Sequence, residues 1–537
     1  MDLTQQTSYK YPVYTAQEAQ WFDTNAISNG ISGFSLMQKA GLKAWRYIEK
    51  KLTSRMDIHV FCGSGNNGGD GWIFAMEAHK AGHKVHVWHK QARSESAQQA
   101  FKKAAAILFL DRITELNSNS YSKLEYLIQF SQQNPVLIVD SLFGIGLNRP
   151  LNDKFCQIIA AMNQVNGYKY ALDIPSGINA TTGFQEGTAF QAQDTITFIV
   201  EKQGLFRNEG KACSGTVHLE PLDLDVSPCM LEESTLKKSY RVYRDQPSPD
   251  ALTRPEYGHK GSFGTLFCVG GDQGMGGAII IAAESAIRFG AGKVFIASHD
   301  FHNTIAITRC PSLMSSSLNH IETDASSFQE QLEQANSLVL GPGLGQSHWS
   351  LECFKACFNS AFNGHIILDA DALNLISHHD EAYKVFMERD LNAIITPHPK
   401  EADRLLGRLF KESELKTLSP FDKAIALSKH YKCICVLKGH GTIIASEDTA
   451  FISETGNSAL AKAGQGDCLS GMIGALLAQN LPLLDAARLA VWAHGLAGEF
   501  WSQTESKLSL MPHETAQIAA KALKEKRQEI HHASATY

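Results

Sequence analysis

A chain of 537 residues is too long for a single ordinary core, so two domains are expected. With 44% apolar and 19% charged residues it has the make-up of a soluble globular protein, and a formal net charge of -6 excludes the basic footprint of a nucleic-acid binder. Its 11 cysteines are scattered and odd in number, with no CxxC pair, which points to buried reduced thiols in a cytoplasmic protein.

The opening MDLTQQTSYK has no apolar run, so no signal peptide is expected. Thr15-Ala-Gln-Glu18 then reads as a capping box that opens a helix. Short β-rich runs follow at 57–62 (DIHVFC), 84–89 (KVHVWH), 136–140 (VLIVD), 168–173 (YKYALD) and 195–200 (TITFIV), with amphipathic helical stretches between most of them. Such alternation implies a parallel sheet covered by helices.

The first of these strands runs into GSGNNGGDG, Gly63 to Gly71, ahead of the helical WIFAMEAHKAG. This matches G-x-G-x-x-G, but the next strand ends His86-Val87-Trp88-His89-Lys90, without the acid that would hold ribose hydroxyls. A hydride-transferring dinucleotide fold therefore loses support, whereas a phosphate-bearing ligand does not. A packing turn is the alternative, although Asn66, Asn67 and Asp70 bring more polarity than packing requires. Two further strands end in Asp140, before SLFGIGLNRP, and in Asp173, before IPSGINATTG. A single strand-end aspartate commonly caps a helix; three polar, glycine-rich strand ends converge on one crevice, where open parallel sheets bind ligands. Pro175 biases Ile174 toward an extended conformation, so Asp173 is expected to be held stiffly there. Asn67, Asp140 and Ser176 offer hard oxygen ligands of limited charge, which suit a monovalent cation better than a transition metal.

From about Leu222 to Pro255 the strand-helix pattern fails; the stretch holds four prolines and mixed charges and reads as a linker with a few ordered pieces. The expected domains are 1–228 and 229–537. A second series begins near Gly264 with GTLFCVGG and continues with a helix over 278–289 and strands over 293–298, 337–341, 365–369, 392–396 and 433–438, before helices from Asp467 onward. The longest apolar stretch, Gly276 to Ala297, is broken by Glu284, Arg288 and Lys293 and is no membrane span.

This half carries its own glycine turns: HKGSFG (259–264), GGDQGMGGA (270–278), GPGLG (341–345), TPHPKE (396–401), KGHGT (438–442) and AKAGQGDCLSG (461–471). The P-loop pattern is missing, and its nearest approach, Gly290-Ala-Gly-Lys293-Val, lacks the hydroxyl residue and the upstream glycine. Gly464, Gly466 and the first N–H groups of the following helix would cradle an anion where phosphoryl charge develops. Asp467 would accept a proton from a substrate hydroxyl as that oxygen attacks phosphorus. The plainer reading is a helix cap, which explains neither the glycines on both sides nor GHGT on a neighbouring strand.

Together, NNGGDG, VDSLFGIGL and ALDIPSG resemble the NAD(P)H-hydrate epimerase domain. HKGSFG, GMGGA, GPGLG, TPHP, KGHGT and GQGD resemble the ADP-dependent NAD(P)H-hydrate dehydratase domain of the ribokinase-like superfamily, and the fusion resembles the bifunctional nicotinamide nucleotide repair family. The resemblance implies a Rossmann-like three-layer α/β/α domain followed by a ribokinase-like α/β domain. It implies that the first interconverts the R and S forms of hydrated NADH or NADPH, and that the second uses ADP to phosphorylate the ring hydroxyl of the S form. The hydroxyl then leaves as phosphate, giving NAD(P)H and AMP.

The same resemblance places epimerase substrate contacts on Asn66, Asn67, Gly68, Gly69 and Asp70, on Gly144, Ile145, Gly146, Leu147, Asn148, Arg149 and Pro150, and on Asp173. It places potassium on Asn67, Asp140 and Ser176. Hydrate contacts of the dehydratase fall on Ala278, Gly343, His398 and Asp467, and nucleotide contacts on Lys438, Gly439, His440, Gly441, Thr442 and Gly466. Asp467 and Asp173 are the expected catalytic residues. Magnesium is expected with the ADP, and a cytoplasmic homo-oligomer without membrane or nucleic-acid partners is implied. Three positions depart from the family: Ile145 and Gln465 stand where threonines are usual, removing hydroxyls near phosphate, and Lys400 stands for a glycine. Two other readings remain open. One is a small-molecule kinase with a regulatory front domain, which would accumulate a phosphorylated product. The other is a non-catalytic scaffold, which the retained Asp140 and Asp173 argue against.

Overall fold

Among the described residues, nine strands organise the first half: β1 Val13–Tyr14, β2 Asp57–Cys62, β3 Lys84–His89, β4 Ile113–Glu115, β5 Val136–Ser141, β6 Gly167–Leu172, β7 Asp194–Phe198, β8 Glu201–Lys202 and β9 Thr216–Glu220. The computed structural model describes residues 11–109, 112–117, 120–252, 254–390 and 392–535; the opening MDLTQQTSYK lies outside them. The chain divides into two compact units, Met1–Lys238 and Ser239–Tyr537.

In the first unit seven strands form one sheet in the order β4-β3-β2-β5-β6-β7-β9, all parallel, while β1 pairs with β8. The chain winds outward from β2 to one edge, then returns beside β2 at β5 and winds to the other. The loops after β2 and β5 therefore part at a switch point, which opens a crevice at the carboxyl ends of the strands. β2 and β5 are buried along nearly their whole length, which is why DIHVFC and VLIVDS are dense in apolar residues. The edge strands β4 and β9 are short or half-exposed and lack such a run.

The second unit has β10 Arg241–Asp245, β11 Thr265–Val269, β12 Lys293–Ser298, β13 Met314–Ser317, β14 Ser337–Leu340, β15 His365–Leu368, β16 Ala393–Ile395, β17 Ile434–Leu437, β18 Ile443–Ala445 and β19 Thr449–Ser453. They form one sheet in the order β10-β19-β18-β17-β16-β15-β14-β11-β12-β13. Every neighbouring pair is parallel except β17–β18 and β18–β19. The expected α/β class with parallel sheets thus holds in both units.

Among the ordered pieces expected between Leu222 and Pro255 is β10, which pairs with β19 from Arg241↔Thr449 to Asp245↔Ser453. Its partner is some two hundred residues away, so no local period announces it. Asp245 anchors the strand, fully buried and accepting from Arg488 Nε at 2.7 Å.

The helix Gln465–Ala478 runs through the core of this unit, buried along most of its length. It can lie there because its glycines admit other backbones: a Cβ on Gly471 would stand 2.1 Å from the carbonyl of Ala282, in the helix Gly276–Arg288. That packing sets the start of Gln465–Ala478 beside the start of Gly276–Arg288.

Candidate active sites

The first crevice gathers on a helix that begins earlier than the sequence suggested. Asn66–Lys80 starts at Asn66, so NNGGD is its first turn and not a loop before it. Its glycines are there for packing: Cβ atoms on Gly68, Gly69 and Gly71 would meet the Gly63 carbonyl at 2.0 Å, Met37 Sδ at 2.4 Å and Ser141 Oγ at 2.0 Å. Gly65, the N-cap, provides no side-chain cap, so the first N–H groups are left for an anion.

Beneath that helix start lies a buried polar knot. Asp140, at the end of β5, accepts from Ser176 N at 2.7 Å and Ser176 Oγ at 2.6 Å, and Leu142 N–H adds a bond at 3.1 Å. Burial pushes its pKa up to about 6. Phe143 N–H donates to Ser176 Oγ at 2.9 Å, and Asn67 Nδ2 donates to the Phe143 carbonyl at 2.8 Å. Asn67 Oδ1 is buried without a hydrogen-bond partner. Asn67, Asp140 and Ser176 are therefore brought into one network with an oxygen left over.

Asp173 follows β6 with φ of 65°, a region that non-glycine residues rarely occupy. Ile174 N–H bonds the Leu172 carbonyl at 2.8 Å across it, and Asp173 N–H bonds the Ile196 carbonyl at 2.7 Å. These bonds and the left-handed turn hold the acid, where Pro175 was expected to do so. Its carboxylate accepts from Lys202 Nζ at 2.5 Å and Phe198 N–H at 3.3 Å. Lys202 is itself fixed by Thr197 Oγ1 at 3.0 Å and the Phe198 carbonyl at 2.8 Å.

Two more carboxyls face this pair. Burial, then the charges of Asp173 and Asp23, raise the Asp70 carboxyl well above the usual range. Burial, then Asp173, raise Asp23. Gly144 is adjacent too, since a Cβ there would lie 3.2 Å from Asn67 Cβ and 3.4 Å from Asp173 Oδ2.

The rest of that loop is less concentrated. Leu147 is buried and Ile145 packs on the apolar core, while Gly146, Asn148, Arg149 and Pro150 are exposed on the rim. Asn66 is also exposed and accepts from Ser94 Oγ at 2.6 Å. Lys202 and Asp23 escaped the sequence reading. Lys202 closes the strand β8, a usable signal, whereas nothing about Asp23 in its helix Ala16–Ser28 marks it.

In the second unit the N-cap of Gln465–Ala478 is Gly464, at φ of 95° and without a side-chain cap. Asp467 sits in the first turn, does not cap, and makes no hydrogen bond among the described residues. Burial, then the charges of Asp369 and Asp371, raise its pKa to about 7 against the pull of Lys438. A Cβ on Gly466 would lie 3.3 Å from Lys438 Nζ, so glycine here keeps the ammonium open to the helix start.

Lys438 Nζ donates to Asp369 Oδ1 at 2.7 Å, and Ser470 Oγ to Asp369 Oδ2 at 2.7 Å. Burial would lower the Lys438 ammonium, but the carboxylates of Asp369 and Glu401 raise it. Burial would likewise raise Asp369, but Lys438 and the hydrogen bonds it receives hold it below the usual carboxylate range. Asp369 was missed, yet it closes the strand HIILD, and the strand-end rule that found Asp140 and Asp173 finds it as well.

His398 caps the helix Pro399–Leu406: its Nδ1 accepts from Lys400 N–H at 3.1 Å and Glu401 N–H at 3.4 Å. Burial, then Lys438, lower its pKa. The Lys400 side chain is exposed, and the cap uses its backbone N–H. Gly439, His440, Gly441 and Thr442 form the turn from β17 to β18; Gly441 has φ of 89° and Thr442 Oγ1 bonds the Gly439 carbonyl at 3.1 Å.

Ala278 and Gly343 meet, since a Cβ on Gly343 would stand 3.2 Å from Ala278 Cβ. Gly345 N–H then bonds Asp371 at 2.9 Å, linking this wall to the acid that acts on Asp467. Gln465 differs from its reading as a gap beside phosphate. Its side chain is buried, donating to Thr515 Oγ1 at 3.1 Å and accepting from His494 Nε2 at 2.9 Å. Burial lowers His494 to about 4, so the ring is neutral and donates.

Known proteins match both units. A family profile described as NAD(P)H-hydrate dehydratase matches residues 266–521, and one described as YjeF-related protein N-terminus matches 33–204. A bifunctional NAD(P)H-hydrate repair enzyme from Coxiella burnetii is 35% identical over 91% of this chain and 94% of its own length. Its Escherichia coli counterpart is 35% identical over 88% of this chain and 85% of its own. A solved ADP/ATP-dependent NAD(P)H-hydrate dehydratase from Bacillus subtilis is 28% identical, covering 52% of this chain and 94% of its own, with a TM-score of 0.44.

Proposed function

The chain belongs to the family of bifunctional NAD(P)H-hydrate repair enzymes, and from that premise we propose how its residues divide the work. The first unit epimerises hydrated NADH and NADPH, and the second returns the S form to NAD(P)H at the expense of ADP.

The observation that carries the second half is Asp467: an unbonded carboxyl poised at about 7, in the first turn of an uncapped helix whose open N–H groups face the same space as Lys438. A base with a pKa near the working pH combines the right protonation state with enough driving force. Asp467 takes the proton of the ring hydroxyl as that oxygen attacks the terminal phosphorus of ADP. The helix N–H groups and Lys438 take up the negative charge that gathers on the transferred group. Hydroxide leaves poorly and phosphate well, so the ring then expels phosphate, loses a proton and regains its double bond. Magnesium, when bound with ADP, neutralises its phosphates. The donor set suits an ion carried in this way, because the described residues contain no cluster of three or more His, Cys, Asp or Glu to cage a metal.

In the first unit, Asp173 moves the proton that epimerisation requires. A carboxylate paired with Lys202, beside the high-pKa Asp70 and Asp23, supports a site where one carboxyl accepts while another donates. Asn67, Asp140 and Ser176 would hold potassium, and the partnerless Asn67 Oδ1 fits a hard monovalent cation. When bound, that cation orients a phosphate or ribose.

A reducing cytoplasmic setting and a homo-oligomeric state complete the proposal. The setting is supported by eight cysteine thiols that burial pushes up, among them Cys62, Cys268 and Cys357, and no helix among the described residues is long and apolar enough to cross a membrane. The test is recovery of the reduced-nicotinamide absorbance from purified hydrate with ADP. Accumulation of a phosphorylated product without recovery would favour the kinase reading instead.

A further inference from the structure

On the first unit's sheet, a second cavity of about 350 Å³ lies away from the crevice, toward the amino ends of β2 and β3. Its floor is a ladder of facing side chains, because Asp57 and His59 on β2 stand opposite Lys84 and His86 on β3, with Trp88 next along β3. His59 and His86 stack with ring centres 4.7 Å apart and planes 7° apart. Asp57 pairs with Lys84 at 3.0 Å. The wall is the helix Tyr121–Ser131, which presents Tyr126 and Phe130, themselves stacked at 6.3 Å, and Lys123 at the rim.

One polar group is left over. His59 is only 6% exposed, and its Nδ1 accepts from Trp88 Nε1 at 3.1 Å. Burial, then His86 and Lys84, lower its pKa to about 3, so the neutral ring carries its proton on Nε2. That Nε2–H has no acceptor among the described residues, in a side chain that lines the cavity. The cavity therefore offers aromatic faces on two sides, one N–H donor from His59, and, among the described residues, two lysines against one aspartate at its mouth. Its volume falls in the range of small-molecule sites, about 300–1,000 Å³.

We propose that this cavity binds a planar heteroaromatic ring bearing a carbonyl or ring-nitrogen acceptor and one anionic group, the chemistry shared by a pyridine carboxylate and a mononucleotide. The ring lies between the histidine pair and Tyr126, its acceptor takes the His59 proton, and its anion meets Lys123 and Lys84. The site uses none of the residues assigned to epimerisation or dehydration, so it stands or falls apart from those activities.

The test labels the indole nitrogens of the full chain and assigns the Trp88 resonance, one of seven, by its loss in Trp88→Phe. Nicotinate, nicotinamide mononucleotide and AMP are titrated in separate arms. The expected result is a saturating shift of the Trp88 resonance with at least one probe below about 1 mM. Nicotinate acting alone identifies a ring acid, and a shift confined to the mononucleotides identifies a phosphate-bearing ligand. Tyr126→Ala should weaken that binding roughly tenfold through lost stacking. Lys123→Glu should weaken it as well, with epimerase and dehydratase rates unchanged. No movement of the Trp88 resonance with any of the three probes, or the same affinity in both variants as in the parent chain, would overturn the proposal.

Discussion

The two candidate sites share a plan and differ in where they keep their charge. Each lies at the carboxyl ends of parallel strands, against an uncapped helix start, with a lysine ion-paired to a strand-end aspartate: Lys202 with Asp173, Lys438 with Asp369. In the first unit the paired aspartate is itself the proposed catalyst, crowded by two further carboxyls, Asp70 and Asp23. In the second the pair is scaffolding, and the proposed catalyst is a separate acid, Asp467, whose side chain makes no hydrogen bond among the described residues. On the proposed roles, one plan serves proton traffic in one site and phosphoryl charge in the other, depending on whether the reacting carboxyl lies inside or outside the ion pair.

The largest effect expected from this contrast is in the second unit. Asp467→Asn keeps shape and helix start but removes the base, and should slow dehydration by about 10²–10⁴-fold while epimerisation is unchanged. The readout is nicotinamide absorbance recovery from the S form, with an unaltered thermal transition as the folding control. Turnover near the parent rate would remove Asp467 from the chemistry.

The matching change in the first unit is Asp173→Asn. Asparagine tolerates a left-handed φ, so the strained turn survives and the variant probes charge instead of backbone. Given mixed epimers and ADP, it should repair the S fraction at the parent rate, then crawl at the spontaneous epimerisation rate. Full repair at the parent rate would leave Asp173 a structural turn residue.

Asp369→Asn tests the claim that the second ion pair acts through Asp467. Asp369 raises Asp467, so removing its charge lowers the Asp467 pKa. The dehydration rate should fall off on the acid side at a lower pH than in the parent, whose limb is expected near 7. An unmoved limb with a merely slower enzyme would make Asp369 a packing residue.

What could be read from residue order alone divides along physical lines. Strands buried on both faces, such as DIHVFC and TLFCV, announce themselves by composition. Short or half-wet edge strands do not: β4, β9, β10 and β13 owe their state to pairing with a neighbouring strand, which for β10 is far away in the chain. Asp173 and Asp467 stand out as candidates because strand ends and helix starts are where open sheets put chemistry, and Asp369, though missed, obeys the same rule. Asp23 was not, because its relation to Asp70 and Asp173 exists only once the helix Ala16–Ser28 docks. The glycine turns carry the packing reading beside the binding one, since Gly68, Gly69 and Gly71 also leave room for close neighbours.

If the two sites are independent, they should survive separation. Cutting between Lys238 and Ser239 should leave an epimerising fragment and a dehydrating one. The placement of the cut matters, because Leu231 is buried in the first unit's core with Met230 packed against it. A fragment ending at Pro228 forfeits both, and should be less stable than one ending at Lys238 by about 1.5–3 kcal/mol, read from urea midpoints. Equal midpoints would mean that residues 229–238 contribute nothing to that core.

The smallest effect is expected where the second site departs most visibly from its family. Lys400 stands beside His398 where the resemblance implies a glycine, and a lysine so placed invites a role in binding phosphate. The structure argues otherwise. The Lys400 side chain is exposed, and its one bond here is the backbone N–H that His398 Nδ1 accepts at 3.1 Å. Glycine keeps that N–H, so Lys400→Gly should leave the KM for ADP and the dehydration rate within about twofold of the parent, a free-energy change of roughly 0.4 kcal/mol. The cost should appear in stability, because glycine inside a helix loses about 1 kcal/mol of propensity. A large rise in the ADP KM at unchanged stability would place the lysine on the nucleotide. The anion site would then reach beyond Lys438 and the first turn of Gln465–Ala478, and the second site would spread its charge as the first one does.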